Sequence, residues 1–517
     1  MTGVAPTRSP DGVAIDLRLV PAALTSWAVT AAGILWALPG ALAAVAIAAA
    51  ATAAAGWWGG YVGRRTAQHR VVATGVAAVL VVGGGFAVAV VLRVDELRQH
   101  PVSGYIGERT SVVVAPTESP RSLEGGRLMF RGTLLKLDGA QSSGAVLVFA
   151  SDSDYSQLMA GQPAAFRAQV ATPKRRDLSV AVLAATGKPT FGDAAPIHQA
   201  AHHIRDRFAQ SSRLVLPADQ AAMLPALVLG DTSTVTTQTT NDFRTSGLAH
   251  LTAVSGANVT IVCGAVLLSA ALIGPRAAVG LAGVTLLGFV VVVQPSASVL
   301  RAAVMGAIAL LALLSHRRRQ AIPALSATVL ILLIGAPELA VDVGFALSVS
   351  ATAALVLIAP AWSRRLTARG WPRPLAHAVS IALAAQLVTA PLVAGISGSV
   401  SLVAVAANLV VAPVIAPITV CGTASAALCP LWPAGAEMLI RFTGPEVWWL
   451  LTVARWAADV PAASVPVPSG VGGVVTVAAA ALGIAAAWQW LCGRSRDRDR
   501  DRGRGQGLSS RHDTTVR

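Results

Sequence analysis

Stretches of chain that carry no charge and are long enough to approach or cross a bilayer recur along this sequence, and they constrain its fold more than any other feature. They cover residues 21–60, 71–92, 248–273, 278–293, 302–314, 321–337, 343–361, 375–395, 401–431 and 471–491. A hydrocarbon core about 30 Å thick is crossed by about 20 apolar residues of helix. The chain is 54% hydrophobic and 13% charged, with a mean hydropathy of +0.63, whereas a soluble domain is about a quarter charged. The pattern predicts a polytopic α-helical membrane protein of about 10–12 spans. The run 25–39 follows a polar leader and leads directly into another through Leu38-Pro39-Gly40. A membrane hairpin is therefore expected there, not a cleaved signal sequence.

The formal net charge is +15, and the forty basic residues include only three lysines. Such an excess attracts nucleic acid, but it is also what the positive-inside rule puts into cytoplasmic loops. Arg64, Arg65 and Arg70, then Arg276, "SHRRRQ" (315–320) and "WSRRLTARGWPRP" (362–374) occupy alternate loops. The intervening loops "QPSAS", "APELAVD" and "GISGSVS" have no Lys or Arg. This places the protein in the cytoplasmic (inner) membrane, with residues 93–247 outside and the tail 493–517 in the cytoplasm. Cys263, Cys421, Cys429 and Cys492 lack metal-ligand spacing. No disulfide framework, metal or cofactor is expected.

Composition divides the chain into a leader (1–20), a first membrane region (21–92), an exported domain (93–192), amphipathic surface helices (193–247), a second membrane region (248–492) and a charged tail (493–517). Strand-like runs at 110–115, 127–137, 144–150, 165–171 and 178–185 are separated by turn-rich segments. They predict a small oligonucleotide-binding (OB)-like β-barrel inserted after the third span. Arg127, Arg131, Lys136, Arg167, Lys174, Arg175 and Arg176 would give it a basic, DNA-binding face, although half-exposed sheets carry arginine in any case. Pro413 and Pro417 predict a broken or re-entrant helix. The segment 444–461, with its charges and three tryptophans, predicts an interfacial helix.

Polar side chains inside spans mark bundle interiors or hydrated paths. Candidates for a pore or gate are His250, Ser255, Gly256, Asn258, Arg301, Asp342, Gln386 and Asn408. Each has an ordinary alternative. Thr252, Gly256 and Thr260 at i, i+4, i+8 would serve close helix packing. Arg301 and Asp342 would snorkel from span ends. Gln386 and Asn408 would bond a neighbouring helix. A Ser255–His250 hydrolase pair is disfavoured, because five residues of helix turn the two about 140° apart. No P-loop or metal-hydrolase motif is present, so no enzyme activity is expected.

The segment "ALVLGDTSTVTTQTTNDFRTSGLAHLTAVSGANVTIV" (226–262), followed in order by "SVLRAAVMG", "PELAVDVGFALSVSA", "LAAQLVTAPL" and "SLVAVAANLVVAPV", resembles the ComEC-type competence proteins. These are inner-membrane channels for DNA uptake in natural transformation. The resemblance covers most of residues 21–490. It implies passage of single-stranded DNA, with an exported DNA receptor and a cytoplasmic translocation motor as partners. It also implies a form without the metallo-β-lactamase-like domain that many members carry. Asn258 stands where the family commonly has histidine. Two other functions fit the same residues: a transporter of small or lipid-linked molecules, and an envelope scaffold whose exported domain binds a partner.

Overall fold

In the computed structural model the described residues are 7–8, 14–61, 68–123, 125–315 and 320–483. Most of the basic loops at 63–70 and 315–320, and all of the tail, lie outside them. A two-residue strand pair, β1 (Thr7–Arg8) and β2 (Ala14–Ile15), precedes the first helix. Lipid offers no hydrogen bonds, so a spanning segment must satisfy its backbone internally, and the apolar runs accordingly form helices. Among the described residues, eight helices are long and apolar enough to cross a membrane.

The first helix, α1 (Val20–Tyr61), loses helical geometry at Ala37 (φ 56, ψ −146). In a straight helix Thr25 and Val45 would be about 30 Å apart. Yet a Cβ placed on Gly83 of α2 (Gln68–Arg98) would lie 3.1 Å from Val45 and 3.2 Å from Thr25. Gly33 faces Val90 in the same way, and Gly75 faces Thr52. The chain therefore doubles back at Ala37, beside Pro39, and α2 packs along both arms. Two candidate spans, not three, thus precede the β domain, and the first of them is folded back on itself.

The β domain is the expected barrel. Strands β3 (Arg109–Pro116), β4 (Arg121–Leu123), β5 (Arg127–Leu137), β6 (Ala140–Ser151), β7 (Ala164–Ala171) and β8 (Ala181–Phe191) form one sheet. Five of them close a ring in the order β3-β5-β6-β8-β7, with β6 and β8 parallel and the short β4 outside. This is a small OB-like Greek-key barrel. Alternation sends Leu128, Phe130 and Leu134 into its core, and the short α3 (Asp152–Tyr155) adds Tyr155.

Three helices follow, and they are not all at the surface. The amphipathic α4 (Pro196–Val215) and the short α6 (Thr237–Thr245) flank α5 (Ala218–Leu229). Met223 to Leu229 are all buried. Their run "MLPALVL" is apolar on every side, so α5 fits only inside a core. Gly230 ends it in a left-handed conformation (φ 71), and Thr236 is the N-cap of α6.

The second membrane region comprises α7 (Gly256–Ser269), α8 (Pro275–Val293), α9 (Ala297–Leu314), α10 (Ala321–Gly335), α11 (Val343–Leu357), α12 (Ala359–Ala368), α13 (Arg373–Ser397), α14 (Ala404–Leu428) and α15 (Pro433–Ala458). Two expectations change here. Pro413 and Pro417 sit inside an unbroken α14, where packed neighbours hold the helix together. The tryptophan-rich segment belongs to α15, whose Ile440, Val447, Leu450 and Ala454 are buried in the main core with residues of α5 and α14. The span estimate exceeds eight for identifiable reasons. The hairpin is one helical element, and α10 has only 15 residues. The last expected run, 471–491, is described only as far as the helix Val471–Gly483, and its remaining residues lie outside the described ones.

One loop without Lys or Arg is bonded directly to the barrel. Gln294, at the end of α8, accepts from Ser119 N at 2.8 Å and donates to Ser119 Oγ at 2.7 Å. It does so at φ 74, a backbone region uncommon outside glycine. Arg176 of the barrel bonds Leu35 O at the hairpin tip. Strand β9 (Ser399–Ser401) pairs with β10 (Ser464–Pro466) next to Gly247.

The hairpin packing yields a prediction. Gly83→Leu would wedge Thr25 from Val45 and cost about 1–3 kcal/mol, whereas Gly85, with nothing within 4 Å, should tolerate leucine. Thermal unfolding of the two purified variants should separate them by several degrees.

Candidate functional site

The site is built where the chain passes from the surface helices into α7. At Gly247 (φ 75) a Cβ would lie 2.4 Å from that of Ala404, so glycine alone fits this turn. A short 3-10 turn at Ala249–Leu251 follows, and α7 starts only at Gly256, with Ser255 at its N-cap. The expected Thr252–Gly256–Thr260 stripe is therefore not one helical face. Thr252 bonds back to Ala249 O, and Thr260 bonds to Gly256 O.

The break also removes the helical argument that separated His250 from Ser255. Even so, His250 is exposed, and the Ser255 hydroxyl donates to Asn258 Oδ1 at 3.3 Å. No hydrogen bond joins Ser255 to His250 among the described residues. Asn258 is buried and donates from Nδ2 to Leu227 O of α5 at 3.1 Å. Its amide thus fastens α5 to α7. Ser255 and Asn258 line a crevice with Leu227, Ile418 and Thr419 of about 10 Å³, room for about one water.

Gly256 faces the other way. The Arg301 guanidinium rests against it, with Nη2 2.7 Å from where a Cβ would stand. Arg301 does not snorkel: it is 7% exposed, one turn into α9. It donates from Nε to Ser348 Oγ at 2.6 Å and from Nη1 to Met305 Sδ at 3.3 Å. Among the described residues no carboxylate lies within 4.0 Å of it. Its charge is therefore buried without a counter-ion beside the positive end of α7.

The other expected residues do not converge on this place. Asp342 caps α11 through Phe345 N at 2.7 Å, Asn408 bonds Ala404 O of its own helix at 2.8 Å, and Gln386 is half-buried on α13. The candidates thus form two clusters on opposite faces of α7, Ser255–Asn258 and Gly256–Arg301–Ser348, with the rest dispersed. All seven basic barrel residues are exposed, but they too are divided. Lys136 and Arg167 flank β3 at Val113 and Ser111, Arg127 and Arg131 lie farther along β5, and Arg175 and Arg176 face the membrane hairpin. Among the described residues no group of three or more His, Cys, Asp or Glu could hold a metal.

Sequence patterning does not single out Arg205. It is 7% exposed and donates from Nη1 to Leu229 O at 2.9 Å and Val292 O at 3.1 Å, the C-terminal carbonyls of α5 and α8. Burial pulls its pKa down, while the Asp231 and Asp206 carboxylates push it up. The one signal in the sequence is a charge in phase with the buried Ala201, Phe208 and Ser212 of α4. Arg205→Met leaves both carbonyls without this donor and should cost about 1.5–3 kcal/mol. The expected readout is a lower melting temperature and faster proteolysis between α4 and α6.

Comparison with known proteins bears on residues 227–491, which match the family model described as "Competence protein". No curated protein and no solved structure matches the chain. The matched residues begin in α5 and take in Ser255, Asn258 and Arg301, and they make up half of the chain, so this multi-pass membrane protein belongs to the competence protein (ComEC) family.

Proposed function

We propose that this protein is the channel through which single-stranded DNA crosses the cytoplasmic membrane during uptake. One observation carries the reading: the OB-like barrel is bonded through Ser119 to Gln294, and Arg301 lies seven residues further along the same chain. A strand held at the barrel would meet that unpaired cation, and the α7 N-terminus beside it, just below the attachment point. Both favour phosphate.

The barrel is bonded to the loop at Gln294, which has no Lys or Arg, and the positive-inside rule makes that side extracytoplasmic. Phe130, Tyr155 and Phe166 are buried in the barrel, so its hold on a strand is electrostatic more than stacked. Its affinity should fall steeply with salt. Passage requires the Ser255–Asn258 crevice to widen, and the Asn258–Leu227 bond is a contact that must give way. No nucleotide-binding motif is present in the sequence, so a cytoplasmic motor or the proton gradient supplies the drive, and an exported receptor delivers the strand. The protein acts here as a conduit and not as an enzyme.

Deleting the gene in a competent parent should abolish uptake of labelled DNA and transformation. Arg301→Gln should restore less than a tenth of wild-type transformation at normal membrane abundance, and Arg301→Lys more than Arg301→Gln. Unchanged transformation in the deletion strain would favour a transporter or scaffold instead.

A further inference from the structure

A cavity of about 270 Å³ lies where the barrel meets the membrane hairpin, bounded by the α1 tip, the outer end of α2 and the β7–β8 loop. Its floor is apolar, with Ile34, Val94 and Leu97, and Arg98, Arg175 and Arg176 also line it. Arg176 is engaged with Leu35 O. Arg98 and Arg175 have no hydrogen-bond or ion-pair partner among the described residues. The acid in the lining, Asp177, turns back to accept from Ser179 N at 3.3 Å. Two forked cations are thus left without an anion above a greasy floor.

The level of the cavity restricts what it takes. Ile34 is two residues from Trp36, which is 63% exposed at the hairpin tip. Tryptophan at a helix end marks the headgroup zone of a bilayer. A guanidinium fork matches phosphate oxygens, and the apolar floor matches the glycerol and first methylenes of a lipid. Among the described residues no aromatic side chain lines the cavity to stack a base. We propose that this cavity binds the headgroup of an anionic phospholipid, through Arg98 and Arg175, at the seam between barrel and hairpin. The bound lipid would hold the barrel in register over the helices. This does not rest on passage of DNA.

The test uses the full chain purified in detergent. Its melting temperature is followed against short-chain phosphatidylglycerol, phosphatidylcholine, inorganic phosphate and an oligothymidine. Phosphatidylglycerol should stabilise the protein and phosphatidylcholine much less. The Arg98→Gln/Arg175→Gln variant should need at least five times more phosphatidylglycerol for the same effect. An Arg98→Lys/Arg175→Lys variant should recover part of it, and Lys188→Gln, an exposed barrel cation outside the cavity lining, should respond to phosphatidylglycerol as wild type. An equal response of the Gln variant to phosphatidylglycerol overturns the proposal. So does inorganic phosphate matching the lipid, which would make this a free-phosphate site. Displacement of the lipid by oligothymidine would assign the cavity to the strand and overturn it as well.

Discussion

A bilayer interior offers a polypeptide no hydrogen bonds, and each part of this structure answers that constraint. The apolar runs become helices because a helix satisfies its own backbone. Departures from helical geometry fall between helices, and one of them is held by a side chain from elsewhere. The turn at Ala249–Leu251 lies between α6 and α7, and the short turn at Pro337–Val341 is held by Trp27, whose indole donates to Ala340 O at 2.8 Å. The same accounting governs charge. Arg205 answers the carbonyl ends of two helices, and Asp342 answers an amide at the start of α11. Arg301 has a hydroxyl and a sulfur and, among the described residues, no carboxylate within 4.0 Å.

Around this bundle the β domain is fastened, not tethered. Ser119 bonds Gln294 and Arg176 bonds Leu35, so barrel loops grip two separate parts of the membrane region. Between them α4, α5 and α6 form a collar whose middle member is drawn into the core. Asn258 and Arg205 hold α5 from two directions. A channel reading therefore places the closing element in α5, with its backbone carbonyls at Leu227 and Leu229 as the points of attachment.

Much of this is legible in the amino-acid pattern. The strands of the barrel follow from alternation such as that of Leu128, Phe130 and Leu134, because a barrel wall shows one face to the core and one to water. The hairpin follows from Pro39 and Gly40, and the side taken by each loop from where arginine is absent. Less legible is whatever depends on neighbours. Pro413 and Pro417 break an isolated helix but not one packed on α15. The polarity of Ser255, Gly256 and Asn258 is plain in the sequence, but its division between two faces of α7 is not, because that division depends on the helix starting at Gly256. Arg205 looks like a surface charge on an amphipathic helix, since its carbonyl partners come from α5 and α8.

By itself the sequence determined that this chain lives in a membrane, carries a small β-barrel between two helical regions and bears the competence motifs. Those properties are written in local hydropathy and alternation, which each segment carries independently of the rest. Only the tertiary structure decided that α5 is buried, that Arg301 rests on Gly256, and that Gln294 joins bundle to barrel. Those are contacts between segments distant in the chain, and their energies depend on which surfaces meet when the helices pack.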